Sequence, residues 1–94
     1  MNIVWSQQAL DDLESLRVYI AKDSPKAARQ TALAIIALIE TLPDTPHIGR
    51  PGRVPGTREL VVPQTPFVVP YRVHKDALQI LRVYHGARRW PDQL

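Results

Sequence analysis

The 94-residue sequence contains no cysteine. A disulfide framework, a thiolate metal site and a cysteine nucleophile are therefore excluded, and the absence suits a reducing cytosol. Long apolar runs are missing as well. The longest, Ala32 to Ile39, holds eight residues, whereas a membrane-spanning helix needs about 20. No basic start leads into an apolar stretch at the N-terminus, because Gln7, Gln8, Asp11 and Asp12 come first, so no secretory leader is expected. These absences point to a soluble cytoplasmic protein. His47, His74 and His85 lack metal-ligand spacing, and no glycine-rich phosphate loop, nucleophile elbow or HExxH helix is present. No metal or cofactor is expected, and acyl-transfer hydrolysis finds no nucleophile and base.

The chain is long enough for one domain, residues 1–94, with a single core. Its net charge of +3 is unevenly spread. Residues 1–49 carry four Lys/Arg against six Asp/Glu (net −2), and residues 50–94 carry eight against three (net +5). A basic second half suits an acidic partner, either a nucleic acid or an acidic protein segment.

Met1 to Trp5 is rich in strand formers. Ser6 then offers an N-cap, and Ala9, Leu13, Leu16 and Ile20 recur at helical spacing, which predicts a helix over 7–22. Asp11, Asp12 and Glu14 fall in its early turns, where the helix dipole favours negative charge. Ser24-Pro25 is a second helix start, and the following helix ends near Leu42, before Pro43. Its second half, ALAIIALIETL, is apolar almost all round, which implies burial on several sides or a face awaiting a partner. The short Lys22-Asp23-Ser24 connection makes the two helices an antiparallel hairpin.

From Pro43 to Thr57, seven of fifteen residues are proline or glycine. That composition predicts one long loop without regular structure, carrying His47, Arg50 and Arg53. Three strands follow at 58–63, 67–74 and 78–85, with hairpin-length connections. Phe67, Val69, Tyr71 and Val73 share one face of the middle strand by alternation. Pro70 cannot donate a ladder hydrogen bond, so a bulge or an unpaired stretch is expected there. The last strand changes phase, with Leu78 and Ile80 on one side and then Leu81 and Val83 on the other. The order β-α-α-β-β-β predicts an α+β fold, a helical hairpin packed on a twisted, mostly antiparallel sheet.

The chemistry gathers at RVYHGARRWP, residues 82–91. RNA cleavage through the 2′-hydroxyl needs a base, an acid and cationic stabilisation of the transition state. His85 suits proton transfer, Arg88 or Arg89 the electrostatics, and Tyr71 or Tyr84 a second hydroxyl. The same residue types also make an anion-binding surface or a hydrated strand end, and from the residues alone these readings stay open. Trp90 suits either a core cap or a contact anchor.

Several pieces form a familiar pattern in order. They are Trp5 before a helix opening Ala9-Leu10-Asp11-Asp12-Leu13, Tyr19-Ile20, Gly49-Arg50, Gly56-Thr57-Arg58-Glu59-Leu60, Tyr71-Arg72-Val73, Ile80-Leu81-Arg82-Val83 and His85-Gly86-Ala87-Arg88. Together they resemble the RelE/ParE superfamily of bacterial type II toxin–antitoxin toxins, the ParE-like branch in particular, over nearly the whole chain. The resemblance implies the fold predicted above, a hetero-oligomer with a cognate antitoxin that wraps the toxin, and a role of the kind described as plasmid stabilisation. It implies antitoxin contacts at Leu33, Ile36, Ile39, Arg50 and Arg53.

RelE-like members are ribosome-dependent ribonucleases with basic residues along the first two meander strands and often a tyrosine near the C-terminus. ParE-like members inhibit DNA gyrase and are not regarded as nucleases. Here Glu59-Leu60-Val61-Val62 follows Arg58, no basic residue appears before Arg72, and no tyrosine follows Arg89. The resemblance thus implies a gyrase inhibitor with Arg58, Arg72, Arg82, Arg88, Arg89 and Trp90 as its target-binding set. The enzyme alternative is a ribosome-dependent mRNA endonuclease, using His85 with Arg88 and Tyr71, whose partners would be the ribosome and mRNA. A third reading is a non-toxic antitoxin-binding module.

Overall fold

Ser6 fixes where the first helix begins. Its hydroxyl oxygen accepts from the Ala9 N–H at 2.9 Å and its hydroxyl donates to the Leu81 carbonyl at 2.7 Å. One residue thus caps α1 (Gln7–Ala21) and ties its start to a strand 75 residues away. The computed structural model describes residues 1–87. The expectations placed on Arg88, Arg89 and Trp90 lie outside the described residues. Because α1 starts at Gln7, its first turn holds no acidic residue. Asp11, Asp12 and Glu14 sit beyond the turn where the dipole acts most strongly, so the dipole role expected of them is corrected.

Ser24 caps α2 (Pro25–Glu40) in the same way, accepting from the Ala27 N–H at 3.1 Å, with Pro25 in the first turn where its missing N–H is no loss. The two helices pack against one another and against one face of a sheet. From α1, Ala9 and Leu16 are buried; from α2, Ala28, Ala32, Ile35 and Ile39 are buried. The apolar second half of α2 divides as amphipathic packing requires, Ile35 and Ile39 going inward and Leu33 staying 54% exposed.

The strands are β1 (Asn2–Trp5), β2 (Arg50–Pro51), β3 (Arg58–Val61), β4 (Phe67–His74), β5 (Ala77–Ile80) and β6 (Tyr84–His85). Their order is β1-β5-β4-β3-β2, with β6 pairing β4 beyond the end of β5. β1 lies parallel to β5 and every other pair is antiparallel, which is the α+β hairpin-on-sheet fold expected. Leu60, Val69, Tyr71, Leu78, Ile80 and Val83 meet the helices in the core.

Two expectations about the strands need correction. The Pro/Gly-rich stretch is not wholly irregular. Arg50 pairs with Glu59 and Pro51 with Arg58, and the Gly52 N–H donates to Thr57 O at 2.8 Å, closing a short hairpin. Proline is tolerated because β2 is an edge, where a ladder donor is not needed on the open side. The last strand is not continuous either. Tyr71 pairs with Ile80 while Val68 pairs with Tyr84. Three steps back along β4 match four forward along the last strand, so one extra residue is inserted between β5 and β6.

This bulge resolves the change of phase, since it returns Val83 to the core face already held by Leu78 and Ile80. Pro70 sits opposite it. The Leu81 N–H donates to Pro70 O at 3.0 Å, so the side of Pro70 that lacks a donor faces the interruption. The ladder to β3 meanwhile runs unbroken from Arg58 to Val61. The bulge expected at Pro70 therefore lies in the strand opposite it, while Pro70 itself stays paired with Glu59.

Candidate functional site

Among the described residues, a larger and a smaller concavity flank the sheet. The larger, of about 870 Å3, is walled by α1 from Asp12 to Ile20, by Lys22 after its end, the turn at Gln64–Phe67, and Arg82, Val83, Tyr84 and His85. The smaller, of about 290 Å3, is lined by His47, Pro51, Gly56, Thr57, Arg58, Arg72 and Val73. The sequence-predicted basic set is split between them: Arg58 and Arg72 share the smaller, and Arg82 faces the larger.

Arg82 is engaged within the fold. Its Nε and a terminal nitrogen donate to the two Asp12 carboxylate oxygens at 2.7 and 3.0 Å, and its guanidinium lies 4.6 Å from the Tyr84 ring centre. Asp12 also accepts from the Val83 N–H at 3.0 Å. The Asp12 hydrogen bonds are the main cause that holds the Arg82 guanidinium above its ordinary value. Burial pushes the Tyr84 phenol up, and the Arg82 charge beside it pulls the other way.

A folded-state value raised above the unfolded one contributes stability that is present at lower pH and lost as pH rises past the unfolded value, about 10 for tyrosine. Stability is therefore expected to fall above about pH 10, and Tyr84→Phe to remove part of that fall. Urea titrations of both proteins at pH 8 and above pH 10 measure it, and an unchanged slope in the variant refutes the assignment.

Tyr71 is fully buried. Its hydroxyl accepts from the Gly49 N–H at 2.9 Å and donates to Pro46 O at 2.8 Å. With both capacities spent, it is a structural post for the loop, and the catalytic role considered for it is corrected. His85 is half-buried beside Phe67, with ring centres 5.8 Å apart. Its Nδ1 accepts from the Ala87 N–H at 3.2 Å, which leaves the proton of the neutral ring on Nε2. In that tautomer the Nε2–H is a hydrogen-bond donor rather than a base.

Of the residues expected to meet an antitoxin, Leu33 is exposed and Ile36 half-buried, but Ile39 is fully buried. Ile39 packs in the core, so a contact role for it is corrected. Arg50 and Arg53 surround a residue that sequence reasoning passed over. Glu59, 3% exposed, accepts from Arg50 at 3.0 and 3.1 Å and from the Arg53 N–H at 2.8 Å, with Arg53 Nε 3.9 Å away. The signal was a lone carboxylate in an apolar strand after two loop arginines. Glu59→Gln is expected to cost about 2 kcal/mol by weakening the charge-assisted bonds. Hydrogen exchange is expected to rise at residues 50–53 before it rises in α1.

The described residues hold no cluster of His, Cys, Asp or Glu suited to a metal ion, and no helix among them is long and apolar enough to cross a membrane.

Comparison with known proteins places this geometry in a family. The family model for the ParE toxin of type II toxin–antitoxin systems matches residues 3–90. The putative toxin Y4kP of Sinorhizobium fredii is 40% identical over 92 residues, covering 98% of this chain and 95% of that one. Toxin RelE2 of Caulobacter vibrioides is 36% identical over 86 residues, covering 92% and 96%. A structure of a chromosomal ParDE system from P. aeruginosa superposes with a TM-score of 0.83 at 31% identity, covering 90% of this chain and 95% of that one. The helical hairpin on its bulged sheet is thus that of a type II toxin, and the chain belongs to the ParE toxin family.

Proposed function

We propose that this toxin acts by binding a protein, DNA gyrase, and that a cognate antitoxin neutralises it. The observation that carries the reading is the state of the predicted catalytic set. Tyr71 is sealed into the core by two hydrogen bonds, while Arg58 and Arg72 line a surface pocket suited to binding. A chain that displays Arg58 and Arg72 and ties the Tyr71 hydroxyl into its core is better equipped to grip a partner than to move protons. An antitoxin partner is supported by the solved relative, which is a ParDE toxin–antitoxin system. Leu33 and Ile36 on α2 are the apolar contacts proposed for it, and Arg50 and Arg53 the polar ones. The purified protein is expected to inhibit gyrase supercoiling, with relief on adding the antitoxin. Undiminished supercoiling at large molar excess would sink this target.

A ribosome-dependent endonuclease is the second reading, favoured by His85, whose ring borders the 870 Å3 groove. On that reading His85→Gln abolishes growth arrest without unfolding the protein. A variant as toxic as the parent rules out the catalytic role.

A further inference from the structure

Among the described residues, three of the five arginines of the second half have carboxylate partners within the fold. Arg50 and Arg53 face Glu59, and Arg82 faces Asp12. Arg58 and Arg72 differ. Arg58 donates through one terminal nitrogen to His47 O at 3.0 Å and to Gly49 O at 2.8 Å, and Arg72 donates through Nε to the Gln79 side-chain oxygen. All three acceptors are neutral, and among the described residues neither guanidinium has a carboxylate within ion-pair distance. Both line the 290 Å3 pocket, together with His47.

We propose that this pocket receives an aspartate or glutamate side chain from a protein partner. The proposal rests on the protein-binding reading above and identifies the chemistry at its centre. Neutral acceptors orient the two guanidinium groups without cancelling their charge, so the binding geometry is set before a ligand arrives. Arg58 keeps the other edge of its planar fork for a bidentate contact with a carboxylate. The volume lies at the low end for ligand pockets, which suits one side chain.

The surroundings favour a protein over a nucleic acid. Strand binding draws on a row of cations along the backbone and on rings for bases to stack against. Next to this pocket Arg50 and Arg53 turn to the Glu59 carboxylate and do not line it, and no phenyl, phenol or indole ring lines it. A single cationic socket between a proline-glycine turn and a strand matches a carboxylate on a protein surface.

The test uses the full chain with its arginine Nε–H signals resolved by NMR. The probes are a capped Glu-Asp-Glu-Asp tetrapeptide and an RNA oligomer of equal charge. The peptide is expected to move the Arg58 and Arg72 signals and leave Arg82 in place. Arg72→Gln, an exposed change with little bearing on folding, is expected to weaken binding about threefold or more. Arg58→Lys, which keeps the charge but loses the fork, is also expected to weaken it. No movement at about 10 mM peptide, unchanged affinity in Arg72→Gln, or tighter binding of the RNA overturns the proposal. If peptide binding holds and gyrase is untouched, the target assignment fails alone; the converse removes only the pocket.

Discussion

Asp12→Ala is expected to lower the free energy of unfolding by about 3 kcal/mol, because it breaks a partly buried ion pair and leaves a backbone donor unpaired as well. Asp12 accepts three bonds, two from Arg82 and one from the Val83 N–H. Its side chain is 18% exposed and that of Arg82 26%, so water replaces those partners poorly. The substitution strands a guanidinium and a backbone donor where the last strand makes its bulge. The bulge leaves backbone groups that the ladder cannot satisfy, and Asp12 and Ser6 satisfy two of them, Val83 N and Leu81 O. In a domain of this size the loss corresponds to a fall in Tm of roughly 12–24 °C. Arg82→Ala is expected to cost less, because Asp12 keeps the Val83 bond. Thermal unfolding of the two variants checks both statements, and equal costs refute the role given to the Val83 N–H.

Gly49→Ala is the second large effect, again about 3 kcal/mol, at the upper end for overpacking a core. A Cβ at Gly49 would stand 2.7 Å from both Cε1 and the hydroxyl oxygen of Tyr71, and 3.0 Å from the Glu59 carbonyl. The Tyr71 ring is wholly buried and its hydroxyl is tied at both capacities, so the ring has nowhere to retreat. The Gly49-Arg50 pair therefore exists for close approach, with Gly49 admitting the phenol and Arg50 placed opposite Glu59. Tyr71→Phe removes one contact atom along with the bond to the Gly49 N–H. Its combination with Gly49→Ala is expected to cost less than the two single changes together, as in coupled neighbours. Strict additivity in denaturant titrations would show that the clash is relieved elsewhere.

Much of the fold was legible because its signals are local. Ser6 and Ser24-Pro25 start helices through side-chain oxygens that reach a donor three residues on. The alternation of Phe67, Val69, Tyr71 and Val73 needs only the pleat of one strand, and the shift of phase after Ile80 foreshadowed the bulge. Less of the site was legible. Arg58, Arg72 and Arg82 look alike in a list of basic residues, yet Arg82 is bound to a carboxylate 70 positions away and the other two keep their charge for the surface. Likewise Tyr71 resembled a candidate hydroxyl until its partners, 22 and 25 residues distant, were known.

The sequence by itself determined the caps, the helical hairpin, the meander and the apolar faces, because these follow from backbone and side-chain preferences over a few residues. Only the tertiary structure decided that β1 lies parallel to β5, that Glu59 locks the Pro/Gly-rich loop, and which arginines remain uncompensated. The physical reason is that a charge or hydrogen bond is defined by its partner, and these partners are brought together by the folding of distant segments.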